Sequence, residues 1–244
     1  VFLLSNPHPP VSLSTAYACE LNMRLTVYEV GPRDGLQNLP KFVPTDVKRR
    51  LISELYKSGI EHIEEVSFVH PKRVPQMADA EDVHAHGAAL VMNPKGMERA
   101  LPTGVKLFNV VFSPCETFNI NNMGRTRTEL IYMFKSMLQD VPKENVRVYI
   151  SMAFGSPYSG EVPPYLLKQC VRDASMLGST VVFAILLVRV HVKRLQLLLS
   201  MHVSIHLLLR CIFITTRDKK TKHLSELSMV FFQVLHNLTL VSGD

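Results

Sequence analysis

The sequence predicts a parallel α/β protein, because six strand-like segments alternate with helix-like segments from residue 24 onward. Two architectures fit this alternation, an open doubly wound sheet and a (β/α)8 barrel. No G-x-G-x-x-G pattern follows the first strand, which counts against a dinucleotide-binding sheet. Polar residues stand where the predicted strands end, which is where barrel enzymes carry their chemistry. The pattern alone leaves both architectures open.

The predicted strands are β-rich segments bounded by turn residues, at residues 25–30, 62–68, 88–93, 105–112 and 146–153, with a sixth that begins at 179. The predicted helices fill the intervals, at residues 45–58, 77–86, 95–101, 127–140 and 164–177. In the first helix Val47, Leu51 and Leu55 stand four residues apart and predict its buried stripe. Thr45 is its expected N-cap, and Gly59 its expected end.

The chain changes character after about residue 180. The last proline is Pro164, and no glycine occurs between Gly178 and Gly243. Tight βα connections draw on glycine, proline and aspartate, so we expect no further βα units there. The predicted organisation is therefore an N-terminal segment, a barrel-like part and a hydrophobic, basic tail, at residues 1–23, 24–180 and 181–244.

The charge and hydropathy patterns argue against two kinds of partner. The formal net charge is +6, but residues 1–178 carry 19 basic against 18 acidic side chains, and residues 179–244 carry 8 against 3. The excess belongs to the tail, so no nucleic-acid partner is predicted. The apolar stretch 195–214 contains Gln196 and Arg210. A central arginine costs roughly 2.5–3.5 kcal/mol on insertion, so no membrane span is predicted.

The four cysteines are far apart and form no C-x-x-C pair, which indicates reduced thiols of an intracellular protein. Residues 1–22 carry one acid, Glu20, as a transit segment would. No arginine precedes Arg24, however, so the targeting signal is weak.

The end of the first predicted strand carries the strongest candidate for chemistry. Arg33 and Asp34 are adjacent and stand between Gly31 and Gly35. Glycine lets a backbone approach a ligand closely. A carboxylate at this position can hold a hard divalent cation, and a guanidinium can stabilise a developing oxyanion. A surface ion pair in a loop is the alternative interpretation of the same residues.

The run Val-Gly-Pro-Arg-Asp-Gly-Leu-Gln-Asn at residues 30–38 resembles the opening signature of the 3-hydroxy-3-methylglutaryl-CoA lyases. Further matches to that family follow in the right order along the chain. They are Ile63-Glu64 with Ser67-Phe68-Val69 and Pro71-Lys72, Val74-Pro75-Gln76-Met77 with Asp79, Asn93-Pro94-Lys95-Gly96, and Tyr149 to Ser151 with Ala153, Gly155, Pro157-Tyr158 and Gly160.

The resemblance implies an incomplete (β/α)8 TIM barrel with about six of the eight strands. It also implies a lyase that uses Mg²⁺ or Mn²⁺ to split 3-hydroxy-3-methylglutaryl-CoA into acetyl-CoA and acetoacetate. Carried over, Asp34 would bind the metal, and Arg33 would bind substrate and stabilise the enolate. Glu64 would be a second catalytic carboxylate that orients Arg33 or the metal shell. Gln37 and Ser151 would line the substrate cleft.

The same resemblance implies an acyl-CoA substrate, a role in leucine degradation and ketone-body formation, and a homo-oligomer in the intact family. It implies the mitochondrial matrix if the source is eukaryotic and the cytoplasm if it is bacterial.

The chain departs from the family pattern after about residue 180. Complete members add a His-x-His on strand seven, an asparagine near strand eight and a glycine-rich loop with a cysteine, and the sequence there contains none of these. We therefore expect an open barrel edge at strands one and six, an incomplete metal site and a truncated, poor catalyst. The alternatives are an enzyme of the same superfamily that condenses acyl-CoA with a keto acid, and a non-catalytic remnant that binds a membrane or partner through its tail.

Two sequence features imitate catalytic motifs. His84-Ala85-His86 is literally His-x-His, but it falls in the second predicted helix, where residues two apart face different sides. We interpret it as a solvated helix end. Cys115, after Pro114, is interpreted as a packed thiol rather than as the family's loop cysteine.

Overall fold

A computed structural model of the protein describes residues 25–184, 205–208 and 233–236. The strands, β1 to β10 in chain order, are Leu25–Glu29, His62–Ser67, Ala88–Leu90, Leu107–Phe112, Val146–Ser151, Gly155–Ser156, Gly160–Glu161, Thr180–Ala184, Ile205–Leu208 and Gln233–His236. The helices, α1 to α6, are Thr45–Lys57, Ala80–Val83, Pro94–Ala100, Glu116–Met123, Arg127–Met137 and Pro164–Leu177. Among the described residues, no helix is both long and apolar enough to cross a bilayer.

The main sheet has the strand order β10-β1-β2-β3-β4-β5-β8-β9. From β1 to β9 each neighbouring pair is parallel, and β10 is antiparallel to β1. Strands β1 to β5 and β8 follow one another in sequence order and curl into a partial barrel. A doubly wound sheet would instead reverse its order at a switch point. The prediction of an incomplete (β/α)8 barrel is therefore confirmed.

Strand side chains alternate between a helix-facing layer and the barrel interior. On β4, Phe108, Val110 and Phe112 belong to the main apolar core, which they share with helix residues such as Phe134. The intervening Asn109 is also fully buried, and it contacts side chains inside the barrel. The outer layer thus stabilises the fold, and the inner layer positions polar groups.

The first helix buries a different stripe from the one that the sequence predicts. Lys48 and Ile52 are buried, whereas Leu51 is exposed. Thr45 is the first helical residue and Pro44 the N-cap, so the predicted cap is wrong by one position. Lys48 is buried because its ammonium donates hydrogen bonds to Gln76 O and Asp79 Oδ1. These hydrogen bonds compensate the cost of removing the charged group from water.

The second predicted helix is much shorter than expected, since α2 ends at Val83. The backbone N–H groups of Ala85 and Gly87 donate to the Glu65 carboxylate, at 2.8 and 3.0 Å, instead of continuing the helix. His84 is not solvated, because its side chain is 1% exposed and its Nδ1 lies 2.9 Å from Glu65 Oε2. The interpretation of this histidine as part of a solvated helix end is wrong.

Helix α4 was not predicted from the sequence. Its segment lacks an apolar stripe, and Asn119 is its buried residue. That asparagine hydrogen-bonds the backbone of Ser113 through both of its amide atoms, at 2.8 Å each. A polar contact thus fixes a helix that hydrophobic periodicity cannot find.

The expected open barrel edges are occupied in the described part of the chain. Strand β9 pairs with β8 over four residues, from Val181 opposite Ile205 to Ala184 opposite Leu208. Strand β10 pairs with β1, from Leu25 opposite His236 onward. The expectation of exposed edges at strands one and six is therefore wrong. Backbone pairing needs strand geometry rather than the glycine and proline of tight turns.

Candidate active site

The candidate site begins at a wide turn directly after β1. Residues Gly31–Gly35 form one π-helical turn, and the backbone N–H groups of Arg33 and Asp34 both donate to Val30 O, at 3.1 and 2.7 Å. Glu29 Oε1 accepts from the N–H of Gly31 at 2.5 Å and fixes the start of the turn. Single π turns are rare and concentrate at functional sites. Because it carries the candidate catalytic residues, we call residues 31–38 the catalytic turn.

The centre of the site is the carboxylate of Glu64 on β2, which is fully buried. Its Oε1 accepts a hydrogen bond from Arg33 Nε. Its Oε2 accepts from Tyr149 Oη at 3.0 Å and from Asn109 Nδ2. One carboxylate therefore joins the catalytic turn to strands β2, β4 and β5.

Asp34 forms the outer half of the site and is 3% exposed. Its Oδ1 accepts from Arg33 Nη1 at 3.0 Å and from Gln37 Nε2 at 2.8 Å. Asn38 Nδ2 donates to its backbone carbonyl at 2.8 Å. The Arg33 guanidinium consequently lies between two carboxylates, one from its own turn and one from Glu64.

The electrostatics of the site fix two protonation states. Burial alone would lower the pKa of Arg33, but the Glu64 and Asp34 carboxylates outweigh it and raise that pKa. Burial, reinforced by the negative charge of Glu64, raises the pKa of Tyr149 well above its ordinary value. Arg33 therefore stays a cation and Tyr149 a neutral donor. A fixed cation of this kind can stabilise a developing oxyanion without reorganising.

A second cation lies deeper in the barrel. The Arg147 guanidinium stacks 3.9 Å from the ring centroid of Tyr28. Burial raises the pKa of Tyr28 to about 12 against the opposing effect of Arg147, so the phenol stays neutral. The cation–π contact compensates part of the cost of burying this guanidinium.

The structure brings together four of the five predicted site residues, namely Arg33, Asp34, Gln37 and Glu64. Ser151 lies at the end of β5, and its carbonyl accepts from Ser113 Oγ at 2.7 Å. Its place in a substrate cleft stays a prediction.

Sequence reasoning missed two residues of the cluster, Asn109 and Tyr149. Both stand at alternate positions of predicted strands, Asn109 between Leu107 and Val111, and Tyr149 between Arg147 and Ser151. A polar residue on the inward face of a barrel strand is the signal that would have found them.

The described residues do not complete a metal site. They contain no group of three or more His, Cys, Asp or Glu side chains that could hold a metal ion. Asp34 offers a hard oxygen of the kind that Mg²⁺ prefers, but a single carboxylate holds that ion weakly. The Arg33 guanidinium pairs with both Asp34 and Glu64. The metal ligand predicted at Asp34 stays a prediction.

Cys115 is buried, as predicted for a packed thiol. Its Sγ lies 3.1 Å from Ser156 Oγ. Burial would raise the pKa of this thiol, but hydrogen bonds from Ser156, Ser159 and the N–H groups at the start of α4 outweigh burial and lower it.

Taken together, the curled parallel sheet and the charged cluster, which extends from the carboxyl end of β1 into the barrel interior, define an α/β barrel protein. Barrel enzymes carry their active sites at the carboxyl ends of the strands, where Arg33 and Asp34 lie. The HMGL-like family model matches residues 24–184, and the chain belongs to that family. The family resemblance seen in the sequence is thereby confirmed.

Similar proteins are hydroxymethylglutaryl-CoA lyases. The chain is 40% identical over 160 residues to the lyase YngG of Bacillus subtilis, which covers 61% of this chain and 52% of that protein. It is 37% identical over 177 residues to the mitochondrial lyase of Mus musculus, with coverage of 68% and 54%. The chain thus spans about half the length of the curated relatives it matches.

Two solved structures resemble the fold. The crystal structure of the Bacillus subtilis HMG-CoA lyase superposes with a TM-score of 0.72 at 32% identity, covering 77% of this chain and 69% of that one. An HMG-CoA lyase from Acinetobacter baumannii, in complex with coenzyme A and 3-methylmalate, superposes with a TM-score of 0.70 at 30% identity, covering 76% and 66%.

Proposed function

We propose that this chain is a carbon–carbon lyase that cleaves 3-hydroxy-3-methylglutaryl-CoA to acetyl-CoA and acetoacetate. The observation that carries the proposal is the Arg33 guanidinium, fixed between Asp34 and Glu64 at the carboxyl end of β1. Relatives named for this activity are 37–40% identical over the same part of the chain.

The proposed reaction needs a cation where an enolate develops. Loss of the substrate's tertiary hydroxyl proton lets the bond between C2 and C3 break. The hydroxyl oxygen becomes the ketone of acetoacetate, and the bonding electron pair moves into the thioester as an enolate. A proton on the enolate carbon then gives acetyl-CoA. We assign the stabilisation of the enolate oxygen to Arg33, with Glu64 as the catalytic carboxylate that orients it. Tyr149 and Asn109 hold that carboxylate in place.

We further propose Asp34 as a ligand of Mg²⁺ or Mn²⁺, with Gln37 and Ser151 beside the substrate. A hard cation bound there would polarise the substrate's oxygen atoms. Asp34 and Gln37 are already in contact at 2.8 Å, which supports a shared role.

We propose an acyl-CoA substrate, by analogy with the relative whose structure contains coenzyme A. Homo-oligomer formation and a role in leucine degradation and ketone-body formation belong to the same proposal. The named relatives include a mitochondrial protein of mouse and a bacterial protein. The proposed location is accordingly the mitochondrial matrix in a eukaryote and the cytoplasm in a bacterium.

The test is acetoacetate release by the purified full chain from 3-hydroxy-3-methylglutaryl-CoA, with Mg²⁺, with Mn²⁺ and after chelation. We expect slow, metal-dependent release that falls by about 100- to 1,000-fold in Arg33→Met, the range for removing one oxyanion donor. The matched control is Arg99→Met, because Arg99 also contacts a carboxylate, Glu81, at 2.5 Å. Equal rates in the wild type and Arg33→Met would refute the proposal. Condensation of acetyl-CoA with a keto acid, without acetoacetate release, would favour the condensing alternative.

A further inference from the structure

The Gln76 side chain makes three hydrogen bonds to one short segment of another loop. Its Nε2 donates to the carbonyl oxygens of Leu39, at 3.0 Å, and Lys41. Its Oε1 accepts from the N–H of Val43 at 3.0 Å. A primary amide has two donor hydrogens and one acceptor oxygen, so this buried side chain uses all its polar groups on residues 39–43.

A buried lysine holds Gln76 from the other side. Lys48 is 2% exposed, and its Nζ donates to Asp79 Oδ1 at 2.7 Å and to the backbone carbonyl of Gln76. The same ammonium lies 4.2 Å from the ring centroid of Phe42, inside the segment that Gln76 holds. We call Lys48, Gln76 and Asp79 the loop clamp.

The segment 39–43 continues directly from the catalytic turn. The N–H of Leu39, the first residue that Gln76 holds, donates to Leu36 O inside the turn at 3.0 Å. Within the turn, Gln37 and Asn38 bind Asp34 through its carboxylate and its carbonyl. The turn is therefore fixed by β1 at its start and by the loop clamp at its end.

We propose that Gln76 is a positioning residue, which holds the catalytic turn so that Arg33 meets Glu64 and Asp34 at fixed distances. Only a neutral amide satisfies this place. A carboxylate in place of the amide would repel the carbonyl oxygens of Leu39 and Lys41, because neither side could donate a hydrogen bond. An apolar side chain would leave the N–H of Val43 without its acceptor. The catalytic meaning of the positioning rests on the proposed function, whereas the mechanical coupling from the clamp to Arg33 does not.

The experiment is hydrogen exchange by NMR on the full chain, in the wild type and in Gln76→Glu. In Gln76→Glu the carboxylate should repel the carbonyl oxygens of Leu39 and Lys41 and open the segment 39–43. We therefore expect the N–H of Val43 to exchange about tenfold faster, the factor that one net hydrogen bond represents. We also expect faster exchange at the N–H of Asp34 and at Nε–H of Arg33, which a loop anchor alone would not change. The matched control is Asp173→Asn, an isosteric substitution. It alters the ion pair between Asp173 Oδ2 and Arg127 Nη1, which are 2.6 Å apart. It should leave the exchange at Val43 and Arg33 unchanged.

Faster exchange at Val43 with unchanged signals at Asp34 and Arg33 Nε would overturn the inference, as would no change at Val43. If Gln76→Glu does not fold, the variant Phe42→Leu tests the same coupling. The Phe42 side chain is exposed, and its replacement removes the ring that contacts the Lys48 ammonium. Phe42→Leu should raise the hydrogen-exchange rates at the same three groups by a smaller factor. An unchanged exchange rate at Arg33 Nε–H would again contradict the coupling. A wild-type chain without lyase turnover would refute the proposed function, and the exchange comparison would still decide the role of Gln76.

Discussion

Two neighbouring glutamates of β2 are both buried, but they face opposite sides of the strand. Glu64 points into the barrel, where its partners are the side chains of Arg33, Asn109 and Tyr149. Glu65 points toward the helices, where it accepts from Tyr56 Oη at 2.7 Å and from the backbone N–H groups after α2. The sequence alone, Glu-Glu, does not distinguish the two residues.

The difference lies in the donors. Glu65 is held on the helix-facing side by the backbone N–H groups of Ala85 and Gly87 together with Tyr56 and His84, so its role is to stabilise the segment before β3. Glu64 is held by side chains from β4, β5 and the catalytic turn, which converge on it inside the barrel. The identity of the donors, rather than burial or charge, therefore separates a structural carboxylate from a candidate catalytic one.

The largest expected effect on stability is at Glu65. Glu65→Ala leaves the hydroxyl of Tyr56 and the N–H groups of Ala85 and Gly87 without their acceptor, beside a buried histidine. We expect the free energy of unfolding to fall by about 3–5 kcal/mol, because each buried donor left without its acceptor costs about 1–3 kcal/mol. Urea unfolding followed by circular dichroism measures it.

The control for this prediction is Glu81→Ala, which removes a carboxylate from a more exposed ion pair with Arg99. It should lower the free energy of unfolding by about 1 kcal/mol or less. Equal losses in Glu65→Ala and Glu81→Ala would contradict the structural role of Glu65.

The next largest effect is the response to acid. Burial would raise the pKa of Glu65, but hydrogen bonds from His84, Ala85 and Tyr56 lower it from 4.5 to about 2. Because the folded-state pKa is the lower one, the stabilisation is complete above pH 4.5 and is lost as the pH falls from there toward 2. The loss should reach about 3 kcal/mol, at 1.36 kcal/mol per pKa unit.

Urea unfolding of the wild type and Glu65→Gln between pH 6 and pH 2 measures this dependence. The variant cannot ionise at this position, so its free energy of unfolding should fall less steeply below pH 4.5. Parallel curves for the two proteins would show that Glu65 does not carry the acid response.

The smallest expected effect compares two tyrosines that make the same kind of contact. Tyr149→Phe removes the 3.0 Å hydrogen bond to Glu64, and Tyr56→Phe removes the 2.7 Å hydrogen bond to Glu65. Each should lower the free energy of unfolding by about 1–2 kcal/mol. Only Tyr149→Phe should also slow acetoacetate release. A loss of turnover in Tyr56→Phe at a temperature where it stays folded would break the distinction.

The alternation of strands and helices predicted a parallel α/β protein, and the family resemblance selected the barrel. The catalytic turn was found residue by residue because its polar residues lie close together in sequence. Asn109 and Tyr149 were not found, since their partner Glu64 is 45 and 85 residues away. His84 was misplaced for the same reason, because Glu65 ends its helix from a distant strand. Long-range hydrogen bonds leave no period in the sequence, and they decide which polar residues meet.

The most direct measurement compares Glu64→Gln with Glu65→Gln, isosteric changes at adjacent residues, for acetoacetate release and for the free energy of unfolding. We expect Glu64→Gln to slow release by about 100-fold, within the range for disturbing an oxyanion donor, with the smaller loss of stability. Glu65→Gln should keep the wild-type rate at temperatures where it is folded and show the larger loss of stability. The opposite pattern, with turnover lost at Glu65 and kept at Glu64, would contradict the assignment of the site to the barrel interior.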